Sequence, residues 1–408
     1  MDAAKGKDEQ PVLESYRIYE GKPLRRGFTT GMAAAGAAKA AALVLFGHDP
    51  FDQVKVVTPL GIELYLSLSQ WEVGPDWVRC CVIKDGGDDP DVTHGTPICA
   101  LVRRLPEEGV RLRGGKGVGQ VTKPGLAVPV GEPAINPVPR QQILANVTDA
   151  VREVSLNAEE RLATTSLSVE IIVPDGERLA QKTLNPRLGI VGGISILGTS
   201  GKVYPYSTAA WRASVVQAVE LAAHHNISQL VLTTGSRSER FAMQIYPGLP
   251  KLAFVEMGVF TGAALETCVA RGVQSISIVA MVGKLIKTAQ GYMNTHASKT
   301  NRVEVEFLAQ VCRDVNAPGD LVAAVLGANT GRHFLELCTK YNDLRPVQRV
   351  INVALAQVVK FVTGKGGSCK CLSILVFSPV PVANGNRPQT LQICCGTYTD
   401  HTSCEPSL

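Results

Sequence analysis

The sequence predicts two domains, an α+β N-terminal half followed by an α/β C-terminal half. Its 408 residues leave room for two to three domains of ~100–200 residues each. Hydrophobic residues make up 45% and charged residues 19%, so large buried cores are expected. The texture also changes near Gly189. Before it, short apolar segments are punctuated by Gly and Pro. After it, apolar runs at 189–197, 229–233 and 275–282 alternate with helical stretches, the pattern of a parallel sheet. The expected divisions are a flexible arm at 1–22, an α+β domain at 23–186 and an α/β domain at 187–340. A helix and strand at 341–378 complete the fold, and 379–408 forms an irregular tail.

The elements follow in order. After the arm, an Ala-rich run ending near Phe46 predicts a helix, with Thr30 able to cap its first turn. Residues 54–58 and 62–68 flank Pro59-Leu60-Gly61 and predict a β-hairpin. Residues 77–84 predict a strand that delivers the chain into an acidic loop at 85–95. Short segments at 96–104, 109–113 and 125–129 suggest a compact α+β domain. A helix is expected at 139–154 and a strand at 167–173. In the second half, helices are expected at 209–224, 260–271, 303–312 and 346–363, with a last strand at 371–377.

The net charge of +5 is only mildly basic, and no Lys/Arg stripe with interleaved aromatics marks a nucleic-acid site. It suits a small polyanionic ligand. The charged start MDAAKGKDEQ is no signal peptide. The apolar stretch at 32–46 is broken by Lys39 and too short to span a bilayer, so a cytoplasmic protein is expected. The 11 cysteines are odd in number and lack framework spacing, so thiols are expected rather than disulfides.

Several segments have the residue types of a site. The loop at 85–95 gathers Asp85, Asp88, Asp89, Asp91 and His94 on a backbone bent by Gly and Pro. Such crowding would push at least one carboxylate upward in pKa, the usual route to a general base. A solvated turn and a metal loop are the alternatives, although the spacing is not that of an EF-hand. Arg111, Arg113, Lys116 and Lys123 surround a glycine-rich stretch that could hold carboxylates or phosphates. It lacks the Gly-Lys-Ser/Thr ending of a Walker A loop, and an ordinary glycine-rich hairpin is the alternative. Two loops, Gly198-Thr199-Ser200-Gly201 and Thr234-Gly235-Ser236-Arg237-Ser238-Glu239, follow apolar runs where an α/β sheet binds ligands. Lys284 follows a strand, with His296 downstream. Cys369, Cys371, Cys394, Cys395, Cys404 and His401 match no recognised metal spacing and read as ordinary thiols with a nearby imidazole.

Taken together and in order, these segments resemble one family. The carrying motifs are 24–31 (LRRGFTTG), the acidic loop, 117–124 (GVGQVTKP), 132–140 (EPAINPVPR) and 185–201 (NPRLGIVGGISILGTSG). They continue through 233–242 (TTGSRSERFA), 283–287 (GKLIK) and 294–296 (NTH). The chain resembles the CbiD-type cobalt-precorrin-5B C(1)-methyltransferases from about residue 24 to about 377. The resemblance implies a CbiD-like two-domain fold, an N-terminal α+β domain plus a C-terminal Rossmann-like α/β domain. It implies S-adenosylmethionine as methyl donor and a cobalt-containing corrin precursor as substrate, in anaerobic cobalamin synthesis. The protein then needs no metal site of its own.

On that resemblance, the expected catalytic residues are His94, Asp91 and Asp89. Thr29, Thr30, Arg111, Arg113, Lys116, Lys123, Lys284 and His296 would bind substrate. Gly198, Thr199, Ser200, Gly201, Thr234, Gly235, Ser236, Arg237 and Glu239 would bind the donor. The chain departs from the family pattern at Met32 and Ala33, where Thr-Cys is usual, at Val259 (Asp), and at Ala280 and Met281 (Gly-His). Those departures carry an alternative, a catalytically silent tetrapyrrole-binding relative.

Overall fold

The computed structural model describes residues 16–19, 21–105, 109–154, 166–296, 302–367, 371–379 and 390–399. The chain divides into two compact units, 1–207 and 208–408.

The first unit begins with β1 (Tyr16–Tyr19), β2 (Lys22–Arg25), β3 (Gly27–Phe28), α1 (Thr30–Leu45), β4 (Gln53–Val57) and β5 (Glu63–Val73). It continues through β6 (Trp77–Ile83), β7 (Pro97–Arg104), β8 (Gly109–Gly114), β9 (Gly117–Val118), β10 (Gln120–Val121) and α2 (Pro137–Glu153). It closes with β11 (Ser166–Ile172), α3 (Gly176–Ala180), α4 (Asn185–Leu188), β12 (Ile190–Val191), β13 (Gly193–Ile194) and β14 (Lys202–Val203). Six strands form one sheet in the order β4-β5-β6-β7-β11-β8. Its pairs are antiparallel except β11 with β8.

Helix α1 is the core of this unit. Its TGMAAAGAAKAAALVL run combines high helix propensity with small side chains, and it is buried on every side from Thr30 to Val44. It packs on β6, β7 and α2. Gly36 lets the sheet approach, since a Cβ there would lie 2.7 Å from Leu66. The buried charge in α1, Lys39, is paired with Glu153 at the end of α2.

The second unit comprises α5 (Thr208–His224), β15 (Gln229–Thr233), α6 (Ser236–Ile245), β16 (Phe254–Glu256), α7 (Thr261–Ala270) and β17 (Ser275–Ala280). After these come α8 (Val282–Ala289), α9 (Val305–Asp314), α10 (Gly319–Leu326), α11 (Gly331–Lys340), α12 (Arg345–Gly364), β18 (Cys371–Pro379) and β19 (Thr390–Thr399). Its five-stranded sheet has the order β16-β15-β17-β18-β19. The first four strands are parallel and β19 is antiparallel to β18. β15 and β17 are buried along nearly their whole length, as central parallel strands covered on both faces must be.

The structure is therefore mixed α/β, and it corrects several expectations. Part of the arm is ordered as a hairpin, because β1 pairs with β2; residues 1–15 lie outside the described residues. Thr29, not Thr30, caps α1, its side chain accepting the Met32 N–H at 3.2 Å. The 189–197 run is not part of the parallel sheet. Its short strands β12 and β13 pair with β10 and β9, so the units divide at 207/208 rather than at 186/187. The tail is not wholly irregular: TLQICCGTYT alternates apolar and polar residues and forms β19. Cys369, Cys404 and His401 lie outside the described residues. The expectation of thiols alone also fails, since Cys81 and Cys99 are disulfide-bonded. Antiparallel register sets them directly opposite on β6 and β7, with Cα atoms 3.9 Å apart. Cys80, Cys268, Cys312, Cys338 and Cys371 are not disulfide-bonded.

Candidate functional site

Strand β6 ends at Ile83, and the acidic loop closes immediately beyond it. The Lys84 N–H donates to Thr96 O at 2.9 Å and Gly95 N–H to Lys84 O at 2.7 Å. Each carboxylate within the loop has a defined task. Asp85 makes a two-pronged ion pair with Arg25 and also accepts the Gly87 N–H at 2.8 Å. Asp88 accepts the Arg25 N–H at 2.7 Å. Asp89 Oδ1 accepts the Tyr206 N–H at 2.8 Å. Asp91 Oδ2 holds Lys84 Nζ at 2.6 Å, while its Oδ1 accepts from the Thr93 N–H and hydroxyl at 2.8 and 2.6 Å.

This arrangement reverses the expected electrostatics at two positions. The Arg25 hydrogen bond holds the Asp85 carboxyl below the usual carboxylate range. Burial pushes Asp91 upward, but the Lys84 charge and the donors from Lys84 and Thr93 together outweigh it and hold Asp91 low. The carboxylates face cations and N–H groups rather than one another. Asp91 is thus the counter-ion of a buried lysine, not a free base. The second oxygen of Asp89 has no hydrogen bond among the described residues. His94 is half-exposed, and its Nδ1 accepts the Gly86 N–H at 2.9 Å. A neutral imidazole in that geometry carries its proton on Nε2 and presents a donor.

The loop docks against the 25–28 segment with no space for side chains. A Cβ on Gly27 would lie 2.3 Å from Asp85 O, and one on Gly87 2.2 Å from Arg25 O.

Thr29, Thr30 and the 198–201 loop come together at the start of α1. The Thr29 N–H donates to Gly201 O at 3.0 Å, and Thr30 Oγ1 accepts the Leu197 N–H at 2.9 Å. A Cβ on Gly198 would lie 2.4 Å from the Thr29 side chain. Ser200 closes a local turn onto Lys202, and Thr199 is exposed. Both threonine hydroxyls are therefore engaged in holding the fold. Arg111 and Arg113 sit two apart on the edge strand β8, sharing one exposed face. Lys116 is exposed beyond them, and the Lys123 stem packs over Gly189. Gly117 serves close backbone packing, since a Cβ there would lie 1.9 Å from Val173 O.

In the second unit, Lys284 meets the other predicted loop. Its Nζ donates to Thr234 O at 2.5 Å and Gly258 O at 3.2 Å, and burial lowers its pKa. The Ser238 hydroxyl donates to Gly235 O at 2.7 Å, Glu239 is buried, and Ser236 and Arg237 are exposed. Replacing Lys284 by Met should leave two loop carbonyls without their donor and cost about 1–3 kcal/mol. The readout is the denaturant midpoint, and an unchanged midpoint would show that the tie is idle. The predicted site residues thus fall into two groups, one in each unit. His296 lies in a turn where its N–H donates to Asn294 Oδ1 at 3.2 Å.

Arg25, Gly27 and Lys84 carried no role in the sequence reading, although Arg25 and Gly27 lie in the LRRGFTTG motif. Of the departures from the family pattern, Met32 and Ala33 are buried in α1. Ala280 ends β17, Met281 caps α8, and Val259 follows β16. Among the described residues, no group of three or more His, Cys, Asp or Glu could hold a metal ion, and no helix is long and apolar enough to cross a membrane.

A family model described as CbiD matches residues 17–205, and one described as CbiD, C-terminal domain, matches 294–378. The cobalt-precorrin-5B C(1)-methyltransferase of Geobacillus kaustophilus (strain HTA426) is 47% identical over 328 residues, which is 79% of this chain and 86% of that protein. The protein of the same name from Thermus thermophilus is 49% identical over 316 residues, 78% of this chain and 82% of that one. Its namesake from Leptospira interrogans (strain Fiocruz L1-130) is 42% identical over 318 residues, 78% of this chain and 84% of that one. A crystal structure described as cobalamin biosynthesis protein (cbiD) from Archaeoglobus fulgidus is 26% identical, covering 83% of this chain and 93% of its own at a TM-score of 0.38. With 42–49% identity to these methyltransferases over more than three quarters of its length, the chain belongs to the CbiD family.

Proposed function

We propose that this chain is a cytoplasmic methyltransferase that methylates carbon 1 of cobalt-precorrin-5B, giving cobalt-precorrin-6A, on the anaerobic route to cobalamin. The observation that carries the reading is the 42–49% identity to proteins named for that reaction. When bound, S-adenosylmethionine would supply an electrophilic sulfonium methyl group for transfer to ring carbon 1, its sulfur becoming a neutral thioether. Positioning and exclusion of water do most of the work in such a displacement. Cobalt enters as part of the substrate.

Three features of the second unit support reading it as a Rossmann-like donor site. Residues 234–239 lie at the carboxyl end of β15, where open α/β sheets take their ligands. A Cβ built on Gly235 would meet only Glu256 Oε1, at 3.9 Å, so the backbone stays open to close approach. Glu256 ends the neighbouring parallel strand β16, the position from which a carboxylate takes ribose hydroxyls. Residues 198–201 are less suited, being committed to the start of α1.

The first unit offers Arg111, Arg113, Lys116 and Lys123 to the acetate and propionate arms of the macrocycle. His94 presents a donor at Nε2. Asp89 keeps an oxygen for a proton released as ring electron density shifts, and Asp91 braces Lys84. Replacing His94 by Ala should lower kcat/KM about 10- to 100-fold, the size of one hydrogen bond to a charged group, with melting unchanged. Unchanged turnover would return His94 to a structural role.

The test of the proposal is label transfer. Purified protein with S-adenosylmethionine labelled on its methyl group and cobalt-precorrin-5B should yield labelled tetrapyrrole. Tight tetrapyrrole binding without label transfer would show a silent relative instead.

A further inference from the structure

We propose that a cavity in the second unit, lined by Arg212, Asn294 and His296, is a carboxylate-binding subsite. It has a volume of about 460 Å³. Val259 and Phe260 supply an apolar wall. Phe260 is fixed edge-on to Trp211 with ring centroids 5.3 Å apart. Backbone ties that wall to the turn carrying Asn294 and His296: Thr295 N–H donates to Val259 O at 2.9 Å and Gly262 N–H to Met293 O at 2.7 Å. Asn294 Oδ1 fixes the His296 backbone within the same turn. The cavity is therefore lined by two segments tied to each other through backbone, together with the Arg212 cation.

Arg212 projects from the second turn of α5 and is half-exposed. Its nearest carboxylate partner, Glu266, lies 3.8 Å away and is held more closely by Lys365 at 2.6 Å. Its planar fork of donors is thus available for a carboxylate, which it matches in two-pronged geometry. The start of α5 at Thr208 and Ala209 also lines the cavity and adds the positive end of a helix dipole. An apolar wall beside a cation suits a carboxylate on a short aliphatic stem.

The inference rests on the proposed methyl transfer, which brings two such groups to the protein. One is the amino-acid end of the donor; the other is an acetate or propionate arm of the ring. The cavity lies on the donor side of the sheet, since Val259 directly follows Gly258, whose carbonyl is tied to Lys284.

The experiment is calorimetric titration of the wild-type protein and of Arg212→Gln with three probes. S-adenosylhomocysteine carries the carboxylate, 5′-methylthioadenosine is the same thioether nucleoside without it, and cobalt-precorrin-5B carries the ring arms. Arg212→Gln should weaken one of the two carboxylate-bearing ligands about ten-fold or more and leave 5′-methylthioadenosine unchanged. Arg212→Lys should recover part of the loss. Weakening of S-adenosylhomocysteine assigns the donor, and weakening of the tetrapyrrole assigns a ring arm. If wild type binds the ligands and Arg212→Gln binds all three equally well, the subsite is overturned while methyl transfer stands. An equal loss for 5′-methylthioadenosine would also overturn it. A wild-type protein that binds neither S-adenosylhomocysteine nor the tetrapyrrole would overturn the proposed function, and this subsite with it.

Discussion

Asp91→Asn should cost about 3–5 kcal/mol of folding stability, the size expected when one partner of a buried ion pair is removed. Lys84 is 1% exposed and its ammonium rests on Asp91 Oδ2 at 2.6 Å. An amide at position 91 keeps the shape but leaves the lysine charge uncompensated beneath the loop. Removing both charges, as in Lys84→Met with Asp91→Asn, should recover most of the loss, because two neutral groups have no ion to desolvate. The pair also sets a pH dependence. The Asp91 carboxyl titrates lower in the folded chain than in the unfolded one, so its contribution is present above the unfolded value near ~4 and is lost as pH falls through the folded value. Guanidinium unfolding at pH 7 and at pH 3 checks both points. The gap between wild type and Asp91→Asn should narrow in acid, and a gap that does not change with pH would contradict the pairing.

Gly27→Ala and Gly87→Ala should each displace the acidic loop and cost roughly 3 kcal/mol, since overpacking against backbone has little means of relief. The added methyl would lie 2.3 Å from Asp85 O in the first case and 2.2 Å from Arg25 O in the second. Gly87 adds a left-handed backbone, φ +64°, for a further ~1–2 kcal/mol. Opening that contact breaks the Arg25 pair with Asp85 and removes the Arg25 N–H from Asp88, so turnover should fall with stability. Gly95→Ala is the control. Gly95 is also left-handed, φ +76°, but a Cβ there meets nothing within 4 Å. It should show only the backbone penalty. Equal midpoints for all three variants would mean that the close approach at 27 and 87 does not matter.

The sequence made much of this fold readable and little of its wiring. The β4–β5 hairpin and the delivery of β6 into the acidic loop follow from alternation and turn residues, which are local. The 189–197 run was misplaced for a physical reason. An apolar stretch broken by glycines looks the same in a parallel sheet and in short ladders, and only pairing with β9 and β10 decides. Cys81 and Cys99 meet because of strand register, which a count of cysteines does not contain. Crowded aspartates suggested a raised pKa because their partners were invisible. Arg25, which lowers Asp85, is 60 residues away in sequence, and Lys84 looks like any surface lysine until β6 places it under the loop. Gly27 is the case where a readable motif, LRRGFTTG, concealed its reason: the glycine serves the loop rather than a ligand.

Regiochemistry tests the central claim most directly. The protein should be incubated with cobalt-precorrin-5B and S-adenosylmethionine enriched in carbon-13 at the methyl group, and the product examined by carbon NMR. The expected result is a single enriched methyl carbon attached to ring carbon 1. Enrichment at any other ring carbon would contradict the assignment, as would no enrichment where the Geobacillus kaustophilus relative transfers the label.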